Sequence, residues 1–304
     1  MTTKTVNDIY LPPEKRTIDT QYRQNLQFIL ENGEDIADTP QDVPARTYLH
    51  PTSMRFPLKN GAPLITERAI PFWRSAVGEI LGFINGVREN DVLKSEFGCP
   101  WWDAWVTEKK CGKINVPTGN MGPGAYGGAF HDFPSPSGKF NQVEHVVEQL
   151  RKYPHIRTHH ITPWIPFWIG RGGFQKAVVS PCHGWQFYRV INGKLSLMMV
   201  QRSADFPVGV PANMIQYAAL LLAVAHVTGY TPHEFIHCFF DAHIYTNQIE
   251  SISEMNSRIA KKLPTLTLTD DGLGIENIFD FRPKHFTIAD YDPHPGIKGI
   301  PVAV

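Results

Sequence analysis

The chain has 304 residues, 42% of them hydrophobic, and a formal net charge of zero. That length supports one large core, and the balanced charge gives no electrostatic case for nucleic acid or an acidic membrane surface as a partner. No apolar run reaches the roughly 20 residues of a membrane span; the longest, Ala218 to Val227, is interrupted by His226. Met1 to Leu11 has no hydrophobic signal core, and Cys99, Cys111, Cys182 and Cys238 form no Cys-x-x-Cys pair. A reducing cytoplasm is therefore the expected location. His159-His160 is the one adjacent histidine pair, and no metal site is expected.

Residues 1–18 are polar and contain prolines, which predicts an extended N-terminal arm ahead of a single domain over 19–304. Tyr22, Leu26, Ile29 and Leu30 share one face of a helix over Thr20 to Asn32, with Gly33 as its stop. Residues 34–45 read as loop, followed by a strand near Ser53 to Phe56. Trp73, Val77, Ile80 and Ile84 mark a second helix ending near Gly86, and 106–140 reads as a long, partly ordered insertion. Val143, Val146, Val147 and Leu150 give a third, amphipathic helix. Strands are expected at 186–191, 194–201 and 264–269. Asn213 to Thr228 is apolar nearly all round, so it reads as a buried central helix stopped by Gly229. Helices and strands do not alternate, and there is neither a Gly-x-Gly-x-x-Gly run nor a P-loop. The expected fold class is α+β, a mixed β-sheet packed with helices around that central helix.

Chemistry concentrates in Ser180-Pro181-Cys182-His183 and, twenty residues on, Gln201-Arg202-Ser203-Ala204-Asp205. A thiol becomes a strong nucleophile as thiolate, and nearby positive charge raises the thiolate fraction. A guanidinium also grips phosphate through parallel hydrogen bonds. Further segments are Arg46-Thr47, Glu79, Trp102-Asp103-Ala104-Trp105, Gly209-Val210-Pro211-Ala212-Asn213, Asp241 to Asn247, and the tail from Tyr291 to Val304. Each alone has a plain structural explanation: a buried thiol, core tryptophans, a surface arginine, a strand with one wet face.

In this order and spacing the segments resemble the thymidylate synthase family, from about Tyr22 to the C-terminus. The resemblance implies a homodimeric enzyme in which Cys182 attacks carbon 6 of a pyrimidine monophosphate. Carbon 5 then takes a one-carbon unit from the co-substrate 5,10-methylenetetrahydrofolate. It implies phosphate ligation by Arg46, Arg202 and Ser203, with Arg157 reaching across from the partner subunit. His243 and Tyr245 would hold the sugar 3′-hydroxyl, and Asn213 would read the base. Asparagine there, rather than the aspartate of members acting on dCMP, implies dUMP. Glu79 would organise proton transfer through water, and Tyr126 would help remove the carbon 5 proton. Asp205, with a place in the catalytic set too, would line the folate site with Trp102, Gly209 and Ala212, and the tail ending in Val304 would close over both ligands. His183 would either tune the site's water or pack behind the nucleophile.

Some positions depart from the family pattern. A shorter Tyr48-Leu49-His50-Pro51 loop follows Arg46-Thr47, and Thr158 stands where a second arginine is usual, with Arg171 or Arg189 as possible substitutes. Ala212 replaces a phenylalanine, the stretch from Trp164 to Val179 is long, and only Gly184-Trp185 separates His183 from Gln186. These departures favour hydration of the exocyclic methylene, giving 5-hydroxymethyl-dUMP, over its reduction to dTMP. A CMP or dCMP hydroxymethylase and a non-catalytic nucleotide-binding relative are the remaining alternatives.

Overall fold

The computed structural model describes residues 5–303. Elements run in chain order from α1 (Gln21–Asn32) through β1 (Glu34–Ile36), β2 (Ala45–Leu49) and β3 (Met54–Pro57) to α2 (Trp73–Ile84). Then come α3 (Asn90–Phe97), α4 (Glu108–Lys113), α5 (Tyr126–His131), β4 (Phe133–Ser135), β5 (Gly138–Phe140), α6 (Gln142–Lys152) and β6 (His160–Ile161). The second half holds β7 (Trp185–Ile191), β8 (Lys194–Asp205), α7 (Gly209–Thr228), β9 (Thr231–Tyr245), α8 (Ile249–Ser257), β10 (Thr265–Leu268), α9 (Asp270–Leu273) and β11 (Phe286–Ala289).

The main sheet has the order β1-β2-β9-β8-β7-β6, with β3 also paired to β9. All its pairings are antiparallel except β8 with β9, which α7 joins as a crossover. A parallel neighbour needs such a connection, and the connecting helix packs back onto the sheet. Every residue of α7 from Val210 to Ala225 is buried, so this helix is the centre of the core. It is 20 residues long and apolar enough to cross a membrane by length and composition, longer than the apolar run that the sequence suggests. Here 94% of its apolar window is packed inside protein. Pro211 sits in its first turn, where a missing N–H costs nothing. Gly229 ends it in a left-handed conformation, its N–H bonded to Ala225 O.

Two local expectations need correction. The stretch 34–45 is not all loop, because β1 pairs with β2 there. The stretch 106–140 carries α4, α5 and the β4–β5 hairpin, held by buried Met121, Tyr126, Ala129 and Phe130. Gly33 stops α1 as expected, with an extended φ of -71°; a side chain there would meet Arg46 Cγ at 2.6 Å. The segment before α1 docks on β10: Asn7 exchanges hydrogen bonds with the Leu268 backbone, and the Tyr10 hydroxyl donates to Leu266 O at 2.6 Å.

Candidate active site

The loop carrying Cys182 is stitched to β8. Cys182 O accepts from the Arg202 and Ser203 backbone amides at 2.8 and 3.3 Å, so twenty residues of sequence separation close to direct contact. Arg202 Nε donates to Pro181 O and its Nη2 to Ser180 O, which brings Nη2 to 3.8 Å from Cys182 Sγ. Its guanidinium carbon stands 5.5 Å from the centroid of the Trp164 ring, a cation–π platform. Nη1 makes no hydrogen bond among the described residues and is the edge left for an anion. Burial pushes the Cys182 thiol up; the Arg202 charge and the Tyr126 and Ser203 hydroxyls oppose it. A polar, partly buried thiol with a fixed guanidinium beside it is built for nucleophilic work.

Behind the thiol, the Cys182 amide donates to the Tyr126 hydroxyl at 2.7 Å. The Tyr126 ring stacks on Phe83, and His183 lies against its other side at 4.7 Å. His183 Nδ1 meets the Tyr217 hydroxyl at 2.7 Å. Burial, then the Arg202 charge, lowers the His183 pKa to about 3, so it stays neutral near pH 7. Gly184 follows with φ at 108°, and a side chain there would strike Phe130 at 2.8 Å. That explains the tight passage from His183 into β7.

A second group surrounds Glu79, buried on α2. Trp102 Nε1 donates to its Oε1 at 2.7 Å, and Gln216 Nε2 to its Oε2 at 2.5 Å. Cys99 Sγ is 3.8 Å from Oε1. Burial raises the Glu79 pKa, and these three donors partly offset it. Asn213 Nδ2 donates to Gln216 Oε1 at 2.7 Å, so the amide expected to read the base is linked to the carboxylate. The Trp102 and Tyr126 rings, 6.3 Å apart, connect the two groups.

The parallel register sets Ser203 beside Asp241 and Asp205 beside His243. His243 Nδ1 contacts Asp241 Oδ1 at 3.0 Å, and the Thr47 hydroxyl donates to the same oxygen. The Tyr245 hydroxyl donates to Gln41 Oε1. Gln248 Nε2 bridges the Asp205 carboxylate and Pro301 O, the latter at 2.9 Å, which ties the C-terminal tail to the site. A side chain added at Gly209 would lie in ordinary contact with Asp205 Cβ at 3.8 Å and Asn213 Oδ1 at 3.9 Å, and Ala212 is buried one residue before Asn213.

Cys182, Tyr126, His183, Arg202, Ser203, Asp205, His243, Tyr245, Gly209, Asn213, Glu79 and Trp102 thus form one neighbourhood. Arg46 is not brought to the thiol: it pairs with Asp35 at 2.8 Å and donates to Leu30 O. Arg157 lies exposed before β6 and makes no hydrogen bond or ion pair among the described residues. Arg189 is committed to the carbonyls of His155 and Ile156, so it props the Arg157 loop and is not a substitute donor at the thiol. Arg171 is exposed on a glycine loop. Val304 lies outside the described residues. Among the described residues no three His, Cys, Asp or Glu side chains are grouped to hold a metal ion. Sequence reasoning gave no role to Trp164 or Asp241 and missed Gln216 and Gln248. Gln216 and Gln248 each lie three residues after a singled-out position, a spacing that the motif reading did not use.

Burial holds the Asp205 carboxyl at about 6, above its usual range, against the opposing His243, Gln248, Val208 amide and Arg68. The folded protein therefore keeps this proton to higher pH than the unfolded chain does. Its contribution to stability is present at low pH and is lost as pH rises through about 6. Asp205→Asn, which cannot ionise, is expected to gain stability over the parent between pH 4 and pH 8, on the order of 2 kcal/mol. Thermal denaturation of both proteins at the two pH values measures this; a pH-independent difference contradicts it.

Residues 20–304 match the family model described as thymidylate synthase, and the chain belongs to that family of folate-dependent one-carbon transferases acting on dUMP.

Proposed function

We propose that the enzyme forms 5-hydroxymethyl-dUMP. The Cys182 thiolate adds to carbon 6 of dUMP, and the pair of electrons displaced from the 5,6 double bond makes carbon 5 nucleophilic. Covalent attack splits one hard substitution into easier steps. Bound methylenetetrahydrofolate supplies the one-carbon unit at the oxidation level of formaldehyde. The Asp205 carboxyl, the Trp102 ring and the absence of a side chain at Gly209, between Asp205 and Asn213, suit a flat heterocycle bearing N–H donors. Tyr126 stands behind the Cys182 backbone amide and serves loss of the carbon 5 proton, with Glu79 organising the water that carries it. Carbon 5 bonds that unit and loses its proton, and the unit's bond to the folate nitrogen breaks, so that tetrahydrofolate leaves and an exocyclic methylene remains. Hydroxide from water then adds to the methylene, the 5,6 double bond re-forms, and the thiolate leaves; the carbon 5 proton and the proton given up by water end on the two folate nitrogens.

Arg202 and Ser203 bind the phosphate, joined by Arg46 on release from Asp35. Asp241 accepts from His243 Nδ1, which leaves Nε2 to accept from the sugar hydroxyl beside Tyr245. The observation that carries hydration over reduction is Ala212, in the first turn of α7 between Gly209 and Asn213. A methyl group leaves room for water at the methylene where a large side chain presses a folate ring over it. Reduction to dTMP is the second reading. The tail held by Gln248 at Pro301 favours it, because a closed tail excludes water.

A homodimer is part of this proposal, with the partner's copy of Arg157 completing the phosphate site. Phe187, Met198 and Ile236 stand side by side across β7, β8 and β9, and Phe187, Ile191 and Phe240 are exposed on those strands. An apolar sheet face of this kind suits a second copy of the chain. Four unpaired cysteines support a cytoplasmic setting.

Mass spectrometry after incubation with dUMP and methylenetetrahydrofolate is expected to show hydroxymethyl-dUMP and tetrahydrofolate. Methylated nucleotide with dihydrofolate favours the second reading. Sedimentation is expected to show a dimer, and Arg157→Ala should weaken dUMP binding about tenfold through loss of a charged phosphate donor. An active monomer contradicts the shared site.

A further inference from the structure

The hydrogen-bond chain Asn213–Gln216–Glu79 has a direction. Gln216 is fully buried in the middle of α7. Its Nε2 donates to Glu79 Oε2 at 2.5 Å, and its Oε1 accepts from Asn213 Nδ2 at 2.7 Å. An amide has one donor end and one acceptor end, whereas a carboxylate only accepts. Trp102 Nε1–H, which can only donate, occupies the other carboxylate oxygen. The carboxylate therefore fixes which end of Gln216 faces it, and Gln216 fixes which end of Asn213 faces Gln216.

We propose that Gln216 is a positioning residue that locks the Asn213 amide in the orientation complementary to uracil. This rests on the reading of Asn213 as the group that meets the pyrimidine. Asn213 Nδ2 carries two hydrogens, of which Gln216 takes one. The other hydrogen and Oδ1 remain as a donor beside an acceptor. Uracil offers the complement at O4 and N3–H. Cytosine offers the reverse, an N4 amino group and a bare N3, and needs the Asn213 amide flipped. Once the thiol and the phosphate fix the ring, a shift of the base cannot supply that flip. Flipping Asn213 alone sets its oxygen against Gln216 Oε1. Flipping both amides sets Gln216 Oε1 against the carboxylate. Either arrangement leaves buried acceptors facing each other without a proton, a costly state at low dielectric. Asparagine alone is an ambidextrous reader, and the chain rooted at Glu79 makes it one-handed.

The test is calorimetric binding of dUMP and dCMP to the full-length protein and its Gln216→Leu, Gln216→Met and Gln216→Glu variants. Circular dichroism selects the folded variants, and the Leu and Met variants carry the same expectation. In either, the ratio of the dCMP to the dUMP dissociation constant should fall at least tenfold. In Gln216→Glu the two facing carboxyls share one proton where the Gln216 amide donated to Glu79, and the other oxygen of the introduced carboxyl still accepts from Asn213 Nδ2, so that ratio should stay within about threefold of the parent's. A merely structural role for Gln216 weakens both nucleotides in proportion and leaves the ratio unchanged, which overturns the proposal while leaving dUMP as substrate. Loss of the preference in Gln216→Glu also overturns it. A parent protein that binds dCMP more tightly than dUMP overturns both this proposal and the uracil reading of Asn213.

Discussion

A carboxylate buried at Glu79 is the constraint around which the site is arranged. Taking such a group out of water costs several kcal/mol unless donors replace the lost hydration. Three donors come from two places: Trp102 and Cys99 in the segment after α3, and Gln216 on α7. Satisfying the carboxylate therefore fixes the distance between α2 and the central helix and the orientation of Trp102. It also fixes the hydrogen-bond polarity that reaches Asn213. The carboxyl's raised pKa follows from the same burial, partly offset by these donors.

The second organising feature is the parallel β8–β9 pair with α7 as its crossover. It lays Ser203 and Asp205 alongside Asp241 and His243, and it starts α7 at the end of β8 so that Gly209 and Asn213 lie together. The Cys182 loop joins through two backbone hydrogen bonds to β8. The Cys182 thiol, the open edge of Arg202, the His243–Tyr245 pair and the Asn213 amide are thus set by one strand–helix–strand unit. The tail and Gln248 close it from the far side.

Much of this was legible in the sequence, unevenly. Helices α1, α2, α6 and α7 show in their apolar spacing because each buries a face on the core, and the family match over residues 20–304 agrees with the resemblance read from the motifs. Strand β9 was harder to see. Pro232, Glu234, His237 and Asp241 interrupt its pattern, and it gains its order from three neighbouring strands that local sequence does not reveal. The pairing of β1 with β2 was equally hidden, and with it the Asp35 partner that holds Arg46 away from the thiol. Gln216 was overlooked because it lies inside an apolar helix. Its meaning appears only when Glu79, 137 residues earlier, is packed against it.

The most direct measurement is release of tritium from dUMP labelled at carbon 5, with methylenetetrahydrofolate present, by the parent enzyme and by Cys182→Ser. Loss of that hydrogen requires prior addition at carbon 6, whichever fate then meets the methylene. If Cys182 is the nucleophile, the parent releases tritium to water, and the serine variant still binds dUMP but releases none above background. Release by Cys182→Ser at the parent rate contradicts covalent catalysis by this thiol and the account built around it.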